Sequence, residues 1–141
     1  MSLVADLALI SEAAREAGAL ALDLRARGLD TQFKADKSPV TNADLACDAL
    51  LLERLQAARP DYGWLSEETT DNPERLGRQR TFVVDPIDGT RAFVKDKPWW
   101  AVSIAVVEAG RPTVGAIYAP QLDQLFVATL GGGARLDRKS V

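Results

Sequence analysis

A chain of 141 residues, 47% of them hydrophobic, is long enough for one globular domain with a buried core. Its net charge of −3, with no basic tract, argues against non-specific binding to nucleic acid. The chain has no histidine, which excludes a histidine-containing catalytic triad, histidine-ligated zinc and histidine acid–base catalysis. The single cysteine, Cys47, excludes an internal disulfide and a thiolate metal cluster.

The first predicted element is an amphipathic helix from about residue 4 to residue 27. Its apolar positions are Leu3, Leu7, Ile10, Ala14, Ala17, Leu20, Ala21 and Leu24. Its solvent-facing positions are Asp6, Glu12, Arg15 and Glu16. These charges also interrupt any signal-peptide pattern, and no segment approaches transmembrane length, so we expect a cytoplasmic protein. A short strand is predicted over residues 31–34, followed by a polar loop over residues 36–39.

The second predicted helix starts at Thr41, runs to about Arg59 and is stopped by Pro60. Thr41 and Asp44 have capping-box spacing, so Asp44 is by itself best interpreted as a cap residue favoured by the helix dipole. The predicted buried stripe is Leu45, Ala49, Leu52 and Leu55. Cys47, with no histidine to activate it, is predicted to be a small helix residue rather than a nucleophile.

Two adjacent glutamates follow a short strand predicted at residues 64–65. They occur in the run Ser66-Glu67-Glu68, and an isolated pair of glutamates is nearly always a solvated surface feature. The polar residues 69–80 after it predict a mobile loop.

The central stretch joins a predicted strand to two aspartates. Residues 81–84 are apolar and β-branched without alternation, which predicts a fully buried strand. Asp85 and Asp88 are expected where the strand emerges, because Pro86 ends the ladder pairing. Their carboxylates and the Ile87 carbonyl are oxygen ligands of the kind that Mg²⁺ takes. Asp-Pro and Asp-Gly are also ordinary turn dipeptides, so the aspartates alone favour a turn.

Three antiparallel strands are predicted after this stretch, over residues 101–107, 113–118 and 125–129. Trp99 and Trp100 begin the first strand, so they should point to opposite faces, one of them into the core. Residues 131–133, all glycine, predict a flexible turn. The fold class is therefore α+β, with two N-terminal helices packed on an antiparallel sheet.

Three motifs together resemble the inositol monophosphatase family, which includes bisphosphate nucleotidases and histidinol-phosphate phosphatases. The run Asp85-Pro86-Ile87-Asp88-Gly89-Thr90, followed by Phe93, is similar to the family's metal-binding signature. Lys37-Ser38-Pro39-Val40-Thr41 with Asp44 resembles a second signature. Ser66-Glu67-Glu68 resembles the family's Gly-Glu-Glu motif, with serine in place of glycine.

The resemblance covers residues 34–133 and matches only the first half of the family's catalytic domain. It implies the N-terminal half of the layered α/β/α/β/α sugar-phosphatase fold. The family's later Trp-Asp signature, which supplies a further aspartate ligand, does not occur here, and the sequence stops at residues 137–141, where another strand or turn is expected. We therefore expect a partial catalytic domain that, taken alone, self-associates and is a poor phosphatase.

The resemblance also implies an activity, the hydrolysis of a small phosphate monoester by water activated on Mg²⁺, with two or more ions in a complete enzyme. The implied metal ligands are Glu67, Asp85, Asp88 and the Ile87 carbonyl, and Glu67 is also counted as catalytic. Asp44 and the Thr90 hydroxyl would orient or deprotonate the attacking water. The backbone N–H groups of Gly89 and Thr90 would bind the substrate phosphate.

The expected partner is a small phosphorylated metabolite, either inositol monophosphate or a 3′(2′),5′-bisphosphate nucleotide. Arg91 after the threonine looks closer to bisphosphate nucleotidases and histidinol-phosphate phosphatases than to typical inositol monophosphatases. We expect no nucleic-acid polymer and no membrane as partners, and a homodimer as the candidate assembly. The alternatives are a histidinol-phosphate phosphatase and a non-catalytic metal-binding or subunit-association module that keeps the fold.

Overall fold

The computed structural model describes residues 2–137 and the backbone of residues 139–140, which form three helices and nine strands. In chain order these are α1 (Leu3–Arg27), β1 (Thr31–Phe33), β2 (Pro39–Thr41), α2 (Asn42–Ala58), β3 (Gly63–Ser66), β4 (Arg80–Asp88), α3 (Thr90–Val94), β5 (Ala101–Glu108), β6 (Arg111–Ala119), β7 (Gln124–Thr129), β8 (Gly133–Leu136) and β9 (Lys139–Ser140). A 3₁₀ turn, Pro73–Gly77, interrupts the loop before β4. Arg138 and Val141, within the stretch where a further strand or turn is expected, lie outside the described residues.

A seven-stranded sheet in the order β3-β4-β5-β6-β7-β8-β9 forms the centre of the fold. The three predicted antiparallel strands are confirmed as β5, β6 and β7. The antiparallel pairing extends to β4 on one side and to β8 and β9 on the other, while β3 pairs with β4 in parallel. β1 and β2 form a separate hairpin outside this sheet. The α+β class is confirmed, since both long helices pack against the antiparallel sheet. In the described part of the chain, no helix is long and apolar enough to cross a membrane.

α1 begins at the Ser2 cap, whose side chain accepts a hydrogen bond from the Ala5 N–H, and ends before Gly28. Its buried face consists largely of small residues, which let α1 approach α2 and the sheet closely. They are Ala13, Ala14, Ala17, Gly18 and Ala21, with Ile10 as the large apolar member. The prediction that Asp6 faces solvent is wrong. Asp6 is 1% exposed because it binds Arg59 and Tyr62.

α2 begins at the Thr41 cap, and the predicted capping box with Asp44 is confirmed. The predicted buried stripe is mostly wrong, because Leu45 is 55% exposed, Ala49 is exposed and Leu52 is only half-buried. The buried positions are instead Ala43, Asp44, Cys47, Asp48, Leu51 and Leu55. The helix faces the core with its aspartates because their side chains bind groups of neighbouring segments. The spacing of apolar residues in the sequence contains no information about such hydrogen bonds.

The core lies between the two long helices and one face of the sheet. Phe82 and Val84 point into it from β4, whereas Val83 between them is 36% exposed. The expectation of a fully buried strand is therefore wrong, because the helices cover only one face of β4. Burial of a side chain such as Phe82 contributes about 2 kcal/mol to the free energy of unfolding.

The exit of β4 departs from the prediction in one respect. Pro86 does not end the pairing with β5, because Asp85 pairs with Ser103 and pairing resumes between Asp88 and Ala101 after an irregularity. The proline is therefore accommodated in a bulge-like step.

The two tryptophans precede β5 rather than begin it. Trp100 is buried against Phe93, with ring centroids 4.6 Å apart, and Trp99 is 72% exposed. The expectation that one of the two tryptophans lies in the core is confirmed by Trp100. The predicted glycine turn joins β7 to β8, and its last residue, Gly133, already belongs to β8.

Candidate active site

A cavity of about 300 Å³ opens where the β1–β2 hairpin, the end of β3, the end of β4 and the start of α3 meet. It is lined by Lys34, Ser38, Pro39, Glu67, Glu68, Asp85, Ile87, Gly89, Thr90 and Arg91. These residues come from the three sequence motifs and the segments next to them. The fold therefore brings the motifs to one place.

Asp44 connects α2 to the start of α3. It is 1% exposed, and its Oδ2 accepts hydrogen bonds from the backbone N–H and the hydroxyl of Thr41, at 2.8 and 2.6 Å. Its Oδ1 lies 2.9 Å from the Thr90 hydroxyl, which is also 3.1 Å from the Ile87 carbonyl oxygen. One carboxylate therefore caps a helix and contacts the central motif, because its two oxygens have different partners.

Glu67 and Glu68 have different surroundings. Glu67 is exposed at the cavity, and its backbone N–H donates to the Val84 carbonyl. The Glu68 side chain is 4% exposed and forms an ion pair with Lys34, with 2.5 Å between Oε1 and Nζ. The bond to Glu68 raises the pKa of Lys34. Glu68 thus attaches the hairpin to the end of β3 and leaves Glu67 free to bind a ligand.

Asp85 has a strongly raised pKa, which reflects the electrostatics of the site. Burial raises the pKa of its carboxyl from 3.8 to about 7, and the next contributions come from the negative charges of Asp88, Glu67, Glu68 and Asp44. A cation would relieve this accumulation of negative charge. Carboxylate and carbonyl oxygens are also the donors that hard divalent cations take, so the chemistry of the donor set fits such an ion.

The acidic side chains converge only in part. Glu67, Asp85 and Ile87 line the cavity, whereas Asp88 is exposed and lines a neighbouring depression beside Trp99. Among the described residues, no three acidic side chains lie close enough together to ligate one ion. Glu67 and Asp88 are both exposed, so their carboxylates can reorient by side-chain rotation.

Gly89 shapes the turn between β4 and α3. Its φ of 92° and ψ of 40° are left-handed, a conformation that L side chains rarely adopt. A Cβ atom here would lie 2.7 Å from the Trp99 carbonyl oxygen. Glycine is therefore required for both conformation and space. α3 starts at the next residue, Thr90, so the backbone N–H groups of Gly89 and Thr90 lie at a helix start beside the cavity.

Two polar residues of this region, Asp48 and Lys34, were not predicted from the sequence. Asp48, one helical turn after Asp44, accepts short hydrogen bonds from the hydroxyls of Ser66 and Thr69. The spacing of four residues from Asp44 was an available signal for Asp48. Lys34 gave no such signal, since its partner Glu68 is distant in sequence.

Cys47 has no chemical role in this site. It is buried beside α1, and its thiol lies 3.3 Å from the Ala17 carbonyl oxygen. Burial raises the pKa of the thiol to about 12, and the negative charges of Asp44 and Asp48 add to the effect. The thiolate needed for nucleophilic attack is therefore disfavoured, which confirms the prediction of a small helix residue.

The fold and the three clustered motifs define a class of protein. Comparison with known proteins shows which family this class is. Residues 4–141 match the inositol monophosphatase family, and the chain belongs to that family. The chain is 37% identical over 125 residues to the 3′(2′),5′-bisphosphate nucleotidase CysQ of Escherichia coli O157:H7, covering 86% of this chain and 51% of that protein. It is 38% identical over 137 residues to the histidinol-phosphatase of Chlorobaculum parvum, covering 96% and 52% respectively.

The fold is also similar to that of solved structures. The extragenic suppressor protein suhB of Bartonella henselae superposes with a TM-score of 0.90 and 33% identity, over 96% of this chain and 53% of that one. The chain spans about half the length of the relatives that it matches.

Proposed function

We propose that this chain forms the metal-binding and phosphate-binding part of a Mg²⁺-dependent phosphatase acting on a small phosphate monoester. The observation that carries the proposal is the cavity lined by Glu67, Asp85 and Ile87 at the start of α3. Family membership supports the reaction class.

Glu67, Asp85, Asp88 and the Ile87 carbonyl would hold the metal. Mg²⁺ is preferred to Ca²⁺ because a few carboxylates combined with water and substrate suit its octahedral coordination. When bound, the ion supplies positive charge that lowers the pKa of water and stabilises the leaving oxygen. Glu67 and Asp88 would adjust by side-chain rotation, while the half-buried Asp85 anchors the site.

Asp44 and Thr90 would hold the attacking water in position. The Thr90 hydroxyl has one proton and two acceptors, Asp44 Oδ1 and the Ile87 carbonyl oxygen. With its proton directed to either acceptor, the hydroxyl oxygen can accept a hydrogen bond from water. Asp44 can stabilise the proton that the water releases, because the Asp44 carboxylate already contacts Thr90 Oγ1. The N–H groups of Gly89 and Thr90 would bind the substrate phosphate.

Arg91 favours a substrate with a second negative charge. Its side chain lines the cavity beside the proposed phosphate position, and its Nη2 donates only a long 3.4 Å bond to the Lys37 carbonyl. Within the described residues Arg91 forms no ion pair. A guanidinium binds a second phosphate in bidentate fashion and would repel the ammonium group of histidinol phosphate. We therefore propose a nucleoside bisphosphate ahead of inositol monophosphate and histidinol phosphate.

Calorimetric titration with Mg²⁺, and with Mn²⁺ as a surrogate, tests the metal site. We expect binding heat from the wild type, a much smaller heat from Asp88→Asn, and wild-type heat from Glu53→Gln. The last variant removes an exposed carboxylate of α2 away from the cavity. Equal heats from wild type and Asp88→Asn, or no heat from either, would contradict the proposal.

A turnover assay completes the test. Adenosine 3′,5′-bisphosphate and inositol monophosphate are compared with Mg²⁺ and with EDTA. We expect slow, EDTA-sensitive turnover by the chain alone, with preference for the bisphosphate. Metal binding without turnover of either substrate would favour the alternative of a non-catalytic metal-binding module. Light scattering on the same sample checks the predicted homodimer.

A further inference from the structure

α2 presents two carboxylates, Asp44 and Asp48, one helical turn apart on its buried face. Asp44 is 1% exposed and Asp48 is 7% exposed. Asp44 contacts Thr90 at the start of α3. Asp48 contacts Ser66 and Thr69, the residues on either side of the two glutamates. One helix face is therefore bonded to both segments that supply the proposed metal ligands.

The protons of the two hydroxyls that contact Asp48 can be assigned from their other partners. The Ser66 hydroxyl oxygen accepts a bond from the Glu68 backbone N–H at 3.2 Å, so its own proton is free to go to Asp48 Oδ1. The Thr69 hydroxyl oxygen faces the Trp64 indole N–H at 3.3 Å, so its proton goes to Asp48 Oδ2. Both oxygens of Asp48 are therefore acceptors, as in a carboxylate. An asparagine would present an amide N–H₂ to a hydroxyl that already accepts a bond.

Within residues 2–137 Asp48 forms no ion pair, and Asp44 adds a second buried negative charge to the same face. Burial of a carboxylate without a cation destabilises a fold, so an apolar residue here would serve stability better. What Asp48 provides instead is a two-point attachment of the segment that contains Glu67.

We propose that Asp48 is a positioning residue, which holds the segment 66–69 so that Glu67 stays at the cavity. The inference rests on the proposed metal site, because Glu67 is the group that Asp48 positions. Removal of a residue that orients a metal ligand typically lowers metal affinity by 10- to 100-fold. We expect Asp48→Ala to raise the Kd for Mn²⁺ by about tenfold. Asp48→Asn and Ser66→Ala, which each remove one attachment, should raise it less.

The test combines metal titration with amide hydrogen exchange on the metal-free chain. In Asp48→Ala, the amides of Glu67 and Glu68 should exchange faster, while those of β6, away from the cavity, should keep wild-type rates. Glu53→Gln on the same helix is the control and should change neither measurement. If the role of Asp48 were purely structural, Asp48→Ala would lower the melting temperature but leave the Mn²⁺ Kd of the folded protein unchanged.

The outcomes separate the two proposals. Wild-type Mn²⁺ affinity in folded Asp48→Ala would overturn the positioning role and leave the metal site intact. If the wild type itself binds no Mn²⁺, the proposed function fails, and hydrogen exchange still decides the role of Asp48 in holding the segment. Unchanged exchange at Glu67 and Glu68 overturns that role; faster exchange confined to this segment supports it.

Discussion

Two groups of buried aspartates have different surroundings. At the junction of α1, α2 and β3, Asp6 is 1% exposed, with the Arg59 guanidinium 2.9 Å from one oxygen and the Tyr62 hydroxyl 2.7 Å from the other. At the cavity end of α2, Asp44 and Asp48 are bonded only to hydroxyl and backbone N–H donors in the described structure. Asp6 therefore has an ion-pair partner, whereas Asp44 and Asp48 have none among residues 2–137.

This difference separates a structural ion pair from a candidate ligand site. Breaking a buried pair leaves an uncompensated charge, so the Asp6 group should matter for stability. The acidic side chains at the cavity should respond to an added cation, because burial and the charges of neighbouring carboxylates raise the pKa of Asp85 to about 7. Opposite responses to mutation and to metal would establish the contrast.

Asp6→Ala should produce the largest change in the free energy of unfolding. It leaves the Arg59 guanidinium, whose side chain is 15% exposed, without its carboxylate. We expect the free energy of unfolding to fall by about 3 kcal/mol. Urea denaturation measures this loss, and the Mn²⁺ affinity of the folded variant should remain that of the wild type. A loss below about 0.5 kcal/mol would mean that the pair is no more than a surface ion pair.

In EDTA-treated protein, Asp85→Asn should change the free energy of unfolding in the opposite direction to Asp6→Ala and by a smaller amount. The Asp85 pKa rises from 3.8 in the unfolded chain to about 7 in the folded one, so the unfolded state ionises first as pH rises. Stability is therefore lost between about pH 4 and pH 7 in the wild type, and the variant lacks that loss. In thermal melts, the melting temperature of the variant relative to that of the wild type should be higher at pH 8 than at pH 4. Parallel curves would contradict the assigned pKa, and Glu53→Gln should track the wild type.

The Asp44–Thr90 contact should show energetic coupling of intermediate size. Asp44→Ala also removes one half of the capping box, whereas Thr90→Val removes the hydroxyl contacts with Asp44 and with the Ile87 carbonyl. A double-mutant cycle on the free energy of unfolding should give a coupling of about 1.5 kcal/mol. Full additivity would reduce Asp44 to a cap residue. In an active sample, Asp44→Asn should lower kcat with little change in metal affinity, and kcat effects of the pair should be non-additive.

Tyr62→Phe should have the smallest effect, about 1 kcal/mol at neutral pH, because Arg59 still balances Asp6. Burial, followed by the bond to Asp6, raises the pKa of Tyr62 from 10.0 to about 12. The unfolded state therefore loses the phenol proton first, and the wild type loses stability as pH rises from about 10 through about 12. The variant should lose stability less steeply over this interval. Equal slopes in urea denaturation between pH 9 and pH 11 would contradict the prediction.

Local patterns in the sequence were sufficient for much of the fold. The long α1, the capped start of α2 and strands β5, β6 and β7 depend on helical spacing, capping chemistry and apolar runs bounded by turn residues, all of which act over a few residues. The motifs containing Asp44, Glu67 and Asp85 were recognised by their resemblance to the motifs of a known family. Local chemistry alone favoured a helix cap, a solvated glutamate pair and a turn at these positions.

The tertiary structure alone decided which polar groups are buried and what they bind. Asp6, Asp48 and Glu68 are acidic residues on predicted solvent-facing or unassigned positions, yet each is buried by partners distant in the chain. The same bonds turn α2 away from the face that Leu45 and Ala49 predict. Hydrogen bonds and ion pairs between distant segments leave no periodic trace in a sequence. The pairing of β3 alongside β4 and the division of the acids between the cavity and the depression beside Trp99 depend on the packed fold for the same reason.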